Sequence, residues 1–574
     1  MKTLLGYLKP HAGVMTWTML VKFLAAMVEL FIPSILAKII DEIVPTGNSG
    51  LIFVWGGVMI GCAVVALGSN VYANRMAALT SGRVTLTLRH DLFSKISCLS
   101  MAQIDHLTLS SAISRLTTDT YNINQFLNRT QRMGVRAPIL LIGGLIMTLG
   151  MDVRLTLVLV ATLPFISLII YGVTVKSVPM YSKQQTVLDH LVRVMQENIT
   201  GVRIIKALSK SRHEMARFDG VNGELSDVSQ RAGRIVALSN PLTSLTLNLG
   251  LTLVVVVGAW LVRGGQSSTG TIIAFLNYFA IITQAMMGIT RIFIMSSKGA
   301  ASAARIEEVL TLTASLDTLP GTSGNPACHV QFDQVSFSYD HVEDNLSDIS
   351  FALKPGETLG ILGATGSGKT TLTNLLLRLY DADKGRILLH GRDIRTLSTK
   401  ELRGRMGIAF QSDFILAASI GDNIRYYRDI PDEEIWQAAQ AAQAADFITD
   451  KPGGLDYMVA AKGNNLSGGQ KQRLLIARAL AGKPELLILD DASSALDYRT
   501  DAALRRALHE GYEQTSSIIV AQRISSIMGA DHILVLEEGR AIGYGGHEDL
   551  MRSCPTYRQI AQTQMGAQGG LEHV

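Results

Sequence analysis

Eight residues, Gly363-Ala364-Thr365-Gly366-Ser367-Gly368-Lys369-Thr370, follow the spacing G-x-x-x-x-G-K-[ST], which is suited to gripping phosphate. Glycine lets neighbouring backbone N–H groups turn toward one set of oxygens without a Cβ in the way. Lys369 supplies positive charge for the β- and γ-phosphates, and the Thr370 hydroxyl is an oxygen ligand for Mg²⁺. Thr371 follows at the start of a helical stretch, 371–380, whose N-terminal dipole favours the same anion. A second group, Asp490-Asp491, stands directly after the apolar run Leu486-Leu487-Ile488-Leu489. A carboxylate at the C-terminal end of a buried strand is where parallel sheets place ligand chemistry. Asp490 is the candidate for organising Mg²⁺, and Asp491 for orienting an attacking water. A third group, Leu466-Ser467-Gly468-Gly469-Gln470, opens a helical stretch over 471–480.

These groups need a scaffold that holds loops at one rim of a sheet. Residues 330–339 alternate apolar and polar as a half-buried strand does, and 358–362 form a strand feeding straight into the glycine loop. Strands alternating with helices predict an α/β domain over 330–562. A linker is expected over 313–329, and a disordered tail over 563–574, where GAQGG begins the final stretch.

The rest of the 574-residue chain is of a different character. It is 48% apolar but only 17% charged, against roughly a quarter charged in a soluble domain. A wholly soluble enzyme is excluded on that ground. The net charge of +4 is too balanced for nucleic acid as a partner. Cys62, Cys98, Cys328 and Cys554 lack C-x-x-C spacing and read as reduced structural thiols. A bilayer core of ~30 Å takes about 20 apolar residues per helix. Six stretches qualify: 14–44, 51–74, 134–151, 153–175, 240–263 and 271–296. They make residues 1–312 a six-helix membrane domain. The first apolar run lacks a small-residue cleavage site and continues to Val44, so it reads as a span and not as a cleaved leader.

Lys and Arg crowd the two connections of about 60 residues that follow the second and fourth spans. This places both connections, both termini and the α/β domain in the cytoplasm. Structureless loops of that length are uncommon, so helical extensions are expected, with 111–120 and 201–208 as docking tips. Lys22 and Glu29 share a helix face inside the first span. They could line a polar cavity that binds a solute, or pair with other helices.

The LSGGQ run, placed after a phosphate loop and before an aspartate that ends an apolar strand, resembles the ATP-binding cassette family. The segments SRLTTD and ENITGVRIIKAL extend the resemblance over the membrane half, to exporter-type half-transporters. That resemblance implies ATP and Mg²⁺ as ligands, a multi-pass place in the cell membrane, and a second half-transporter as partner. It implies that Tyr339 stacks on adenine, and that Gln411, in AFQSDF, senses Mg²⁺ and couples to the membrane domain. Ser467, Gly468 and Gly469 would contact the γ-phosphate held by the opposite cassette, and Asp497, in SALD, would cross the dimer interface.

The chain departs from the family at the groups that handle water. Asp491 stands where Glu is usual and Gln522 where His is usual, and Ala461-Lys462-Gly463 replaces an often acidic contact. Aspartate is one methylene shorter, which moves the carboxylate by about 1 Å, and misplacement of that order can cost about 10²-fold in rate. Gln522 cannot titrate near neutrality as imidazole does. The expectation is a site that holds ATP well and hydrolyses it slowly, in a heterodimer whose partner's site is completed by this chain's Ser467. The cargo is expected to be lipophilic or amphipathic. A homodimeric drug or lipid exporter, and a nucleotide-gated regulatory subunit, are the alternatives.

Overall fold

The computed structural model describes residues 2–313, 316, 328–411 and 414–569. Most of the expected linker lies outside them. The chain forms two compact units: Met1–Ile96 with Ser110–Leu312, and Ser97–Leu109 with the residues from Thr313 onward.

In the first unit, α1 (Ala12–Lys38) turns through Val44–Thr46 and the left-handed Gly47 into α2 (Ser49–Ser97). The Asn48 side chain accepts from the Gly50 and Leu51 amides at the start of α2, which supplies orphan N–H groups with a partner. At 1.5 Å per residue the 49 residues of α2 reach about 73 Å, more than twice a bilayer core. Helix α3 (Met101–Leu107) belongs to the second unit. There follow α4 (Thr120–Met133), α5 (Arg136–Met151) and α6 (Val153–Thr200), then α7 (Val202–Ala207), α8 (Ser211–Ala237), α9 (Ser239–Arg263) and α10 (Thr269–Thr311). Asp152 is the whole turn between α5 and α6. It is extended, and its carboxylate caps the Arg154 and Leu155 amides. Among the described residues, six helices are long and apolar enough to cross a membrane, and α2 and α6 carry the expected helical extensions.

The charged residues Lys22 and Glu29 of the first span are paired. Lys22 Nζ donates to Asn70 Oδ1 on α2. Arg136 on α5 grips Glu29 through Nη2, at 2.7 and 2.9 Å to the two carboxylate oxygens. This is the interhelical pairing, and it satisfies charges that lipid could not. A small cavity of about 80 Å³, lined by Glu29, Arg136 and Gln284, opens beside the pair. Close helix packing is made by small residues: a Cβ on Gly144 would lie 2.8 Å from Ile282.

Of the two expected docking tips, 111–120 is misplaced. That segment is tied to α10 inside the first unit. Asp119 accepts from Ser302 Oγ at 2.8 Å and from Arg305 Nε at 2.9 Å, and Arg115 pairs with Glu308 at 2.9 Å. The segment that packs with the α/β unit is Ser97–Leu109, about ten residues earlier. Its helix α3 opens with a capping box between Ser100 and Gln103. The second tip is the short α7, between α6 and α8. An apolar groove of about 410 Å³ lies there, with Met195, Ile199, Val202, Met215 and Phe218 among its lining.

The second unit is built on two sheets. β1 (Val330–Phe337), β2 (Leu346–Leu353), β4 (Lys384–Leu389) and β5 (Arg392–Asp393) form an antiparallel sheet ordered β2-β1-β4-β5. The other is ordered β10-β9-β3-β8-β7-β6, from β3 (Thr358–Gly363), β6 (Met406–Ala409), β7 (Leu486–Asp490), β8 (Ser516–Val520), β9 (His532–Glu537) and β10 (Arg540–Gly545). All its pairs are parallel except β10 with β9. β7 and β8 are buried at every residue, as a sheet covered on both faces requires. Register places Ile361 and Asp490 both opposite Val520, so the ends of β3, β7 and β8 share one rim. Helices α11 (Lys369–Leu376), α12 (Gly468–Leu480) and α13 (Tyr498–Gly511) cover the sheet. The last helix, α14 (Pro555–Gly569), runs on through 563–569, where a disordered tail is expected. Residues 570–574 lie outside the described residues.

Candidate nucleotide site

β3 delivers the chain to Gly363, where a Cβ would lie 2.5 Å from the Leu536 carbonyl. Thr365 and Gly366 are exposed at the tip of the turn. Gly368 is left-handed, with φ +99°, and a Cβ there would meet the Asn345 carbonyl at 2.9 Å. The glycines are therefore steric requirements of this turn. The Lys369 ammonium folds back into the loop and donates to the Gly363 and Ala364 carbonyls, both at 2.7 Å. Burial lowers its pKa, with Asp490 and Asp491 acting the other way. The Ser367 hydroxyl is buried and has no hydrogen-bond partner among the described residues. An orphaned buried hydroxyl in a glycine loop fits a phosphate oxygen.

The rim carboxylates differ in setting. Asp490 is 3% exposed. Burial raises its pKa above the ordinary carboxylate range, and the Thr370 and Thr373 hydroxyls partly offset this. Thr373 Oγ1 lies 3.5 Å from Asp490 Oδ2. A buried carboxylate beside two hydroxyls is a hard-oxygen donor set that suits Mg²⁺; Thr370, Asp490 and Gln411 are the residues that would hold it. Asp491 sits one residue on, with φ +50°, a conformation uncommon outside glycine and worth an explanation in function. Its amide bonds the Val520 carbonyl at 2.9 Å. Its Oδ2 accepts from the Gln411 amide at 3.0 Å and from the Gln522 amide at 3.3 Å. Burial raises the Asp491 pKa too, with Lys369 the largest opposing influence. Thus Gln411, Asp491 and Gln522 are brought together beside Lys369.

Tyr339 is 45% exposed. Its hydroxyl is 3.4 Å from Thr371 Oγ1 and accepts from Asn374 at 3.3 Å, beside the start of α11. Its ring stands edge-on to Tyr380, with centroids 5.1 Å apart. Tyr380 in turn donates to the Asp105 carboxylate of α3, and burial and Asp105 push its pKa up. Sequence reasoning passed over Tyr380 and Asp105. The signal that could have found Asp105 was the capping box at Ser100, which marks α3 as a helix of its own.

Ser467 and its neighbours are not brought to this loop. Ser467 caps α12: its hydroxyl accepts from the Gln470 amide at 3.3 Å, and the Gln470 side chain accepts from the Ser467 amide at 3.0 Å. Ser467 and Gly468 are exposed. A Cβ on Gly469 would lie 3.4 Å from the Ala495 carbonyl, so the motif abuts the loop that leads to Asp497. Asp497 caps α13 through the Thr500 amide at 2.8 Å. Lys462, in the altered Ala461-Lys462-Gly463 stretch, is left-handed with φ +58°.

Comparison with known proteins bears on both units. Residues 15–286 match the family of ABC transporter transmembrane regions, and residues 346–494 match the ABC transporter family. The ABC transporter ATP-binding protein YfiB of Bacillus subtilis is 34% identical over 572 residues, 99% of each chain. The ABC transporter ATP-binding protein Rv1273c of Mycobacterium tuberculosis is 32% identical over 571 residues, 97% of each. In structure, the chain resembles a bacterial Atm1-family ABC exporter solved with ATP bound, with a TM-score of 0.80 and 23% identity over 97% of this chain and 98% of that one. A phosphate loop and rim carboxylates of this geometry, on a chain matched end to end by such relatives, belong to a member of the ABC transporter family: a transmembrane region followed in the same chain by an ATP-binding cassette.

Proposed function

We propose that this chain is one half of an ATP-driven exporter, and that it works with a second, different half-transporter whose hydrolytic site it completes. The observation that carries the reading is the Asp491 carboxylate, held by two amides, from Gln411 and Gln522. At the position where water must be oriented, this chain has a short carboxylate and a neutral amide. A glutamate would reach about 1 Å further, and a histidine could accept or release a proton there. The groups that grip phosphate are all present. Lys369 needs only to leave the Gly363 and Ala364 carbonyls to meet an anion, the Ser367 hydroxyl is unpartnered beside it among the described residues, and Tyr339 offers a face for the base. Mg²⁺, when bound, would neutralise charge on the transferring phosphate. Ser467 and Gly468 are exposed and Gly469 is half-buried at the N-terminus of α12, where the Ser467 hydroxyl is satisfied by its own cap. They are therefore free to meet a nucleotide held by another cassette.

In this reading ATP holds two cassettes head to tail, and their closure moves the helical extensions and turns a central cavity outward. The crowding of Lys and Arg beside the spans supports both termini and the cassette lying in the cytoplasm, in a multi-pass cell-membrane protein. An apolar groove of about 310 Å³ between α1 and α5, lined by Phe23, Met27, Phe31, Ile142 and Ile146 among others, supports a lipophilic or amphipathic cargo. The test is ATP hydrolysis by the purified chain alone and with its partner. The expected result is slow turnover alone and fast turnover in the pair. Removing the partner's glutamate should nearly abolish the fast rate, while Asp491→Asn lowers it little. Vigorous turnover by the chain alone, lost in Asp491→Asn, would instead establish a homodimer.

A further inference from the structure

At the rim of the cassette sheet away from the phosphate loop, three side chains from separate elements converge. His329 precedes β1, His390 lies between β4 and β5, and Glu485 precedes β7. Glu485 and Asp490 stand at opposite ends of β7, about 16 Å apart at ordinary strand rise, so this is not the nucleotide site. The backbone pins the group together: the His390 amide donates to the His329 carbonyl at 2.8 Å, and the Ser516 amide to the Glu485 carbonyl at 3.0 Å.

The hydrogen bonds orient the His329 ring. Ser516 Oγ lies 3.1 Å from the Lys354 carbonyl and accepts from the Gly356 amide at 3.0 Å. It lies 2.6 Å from His329 Nδ1, so its one proton goes either to that nitrogen or to the Lys354 carbonyl. With the hydroxyl proton on the carbonyl, the proton of the neutral ring is on Nδ1 and Nε2 carries the lone pair, which is the tautomer a metal takes. His329 is 2% exposed, and that Nε2 has no partner among the described residues. A buried acceptor left empty is costly, and one oriented by a hydrogen bond to the other ring nitrogen is how proteins present histidine to a metal.

The remaining ligands are close and can move. The His390 ring stacks on His329 with centroids 4.3 Å apart, and its Nε2 lies 3.0 Å from Glu485 Oε2. Ligand atoms of all three lie within 4.8 Å of one another, against about 3.3 Å between ligands of a tetrahedral site with ~2.0 Å bonds. His390 and Glu485 are partly solvent-exposed, so a rotation of the His390 side chain can close the gap. Arg405, 3.6 Å from Glu485, would then share that carboxylate.

We propose that His329, His390 and Glu485 bind one Zn²⁺-class divalent cation, clasping the start of β1 to the β4–β5 turn and the head of β7. Two imidazoles and a carboxylate, with water in the fourth place, are a ligand set suited to zinc. The test uses full-length, tag-free, nucleotide-free protein stripped with chelator and titrated with Zn²⁺ against a chromogenic competitor. Co²⁺ absorbance then reports the coordination number. The expected result is one ion per chain with a four-coordinate Co²⁺ spectrum. His390→Ala and Glu485→Gln should each weaken binding by about tenfold or more and leave ATP affinity unchanged, and Asp490→Asn should leave zinc uptake unchanged. Absence of stoichiometric uptake, uptake indifferent to both His390→Ala and Glu485→Gln, or uptake lost in Asp490→Asn would overturn the proposal.

Discussion

The two sides of the nucleotide site are built from neighbouring residues with opposite tolerance for change. On the gripping side the backbone sets the chemistry. Gly363 and Gly368 sit where a Cβ would strike a carbonyl, and Lys369 is already held at the loop by two carbonyls at 2.7 Å. On the side proposed to handle water the groups are side chains only, Asp491 with Gln411 and Gln522. A side chain can be shortened or exchanged with the fold intact, whereas the loop cannot lose a glycine without being rebuilt. On the proposed reading, binding and hydrolysis are therefore physically separable in this cassette, and a subunit can keep one while reducing the other.

The most severe challenge to that separation is to restore the longer carboxylate and the imidazole. Asp491→Glu combined with Gln522→His is expected to raise steady-state ATP hydrolysis by the chain alone by about 10²-fold, with ATP affinity changed little. A rise in affinity with no gain in rate would show that the two sides are coupled. From the other side, Lys369→Ala removes charge-assisted bonds of about 1.5–3 kcal/mol. It is expected to weaken ATP binding by about 10- to 100-fold, measured by titration of the purified chain, without unfolding the cassette, because the carbonyls it leaves are at the open loop.

How much of this could be read in advance follows from how local each feature is. The phosphate loop, the carboxylates after β7 and the Asp152 turn are legible because their physics is contiguous: a strand, a turn and a helix in sequence order. The six spans are legible because lipid demands unbroken apolar length. What escaped depends on pairings far apart in the chain. Tyr380 and Asp105 meet across 275 positions, and neither residue alone predicts the other. The same holds for Glu29 with Arg136, 107 positions apart. The segment 111–120 looked like a free tip because its charges were visible and their partners on α10, Arg305 and Glu308, were not.

A smaller effect separates function from stability within the gripping side. Burial holds the Asp490 carboxyl above its ordinary value of 3.8, so the folded chain binds that proton more tightly than the unfolded chain. The stability the group contributes is full below 3.8 and is lost as pH climbs through the folded value. Asp490→Asn is therefore expected to raise the melting temperature of the nucleotide-free protein by a few degrees at neutral pH. The gain should close as the pH is brought down toward 4, while Mg²⁺-dependent ATP binding is weakened at neutral pH. A variant that melts earlier at neutral pH would show that the carboxylate is a structural ion pair and not a group kept for a ligand.

The gentlest test concerns Ser467, which in this chain does one visible thing: it caps α12. Loss of a serine cap to alanine costs about 1 kcal/mol, and replacement by glycine only a few tenths. Ser467→Ala should therefore lower the stability of the chain measurably and Ser467→Gly hardly at all, as read by thermal unfolding. ATP affinity of the isolated chain should be the same in both, because the Ser467 hydroxyl is directed to the Gln470 amide and touches no residue of the loop at 363–371 among the described residues. Ser467→Gly is thus the substitution that leaves this chain's own fold and binding side in place while removing the hydroxyl offered to another cassette. If the glycine variant bound ATP more weakly on its own, Ser467 would be serving the site of its own chain, and the two sides of that site would have to be drawn within a single cassette.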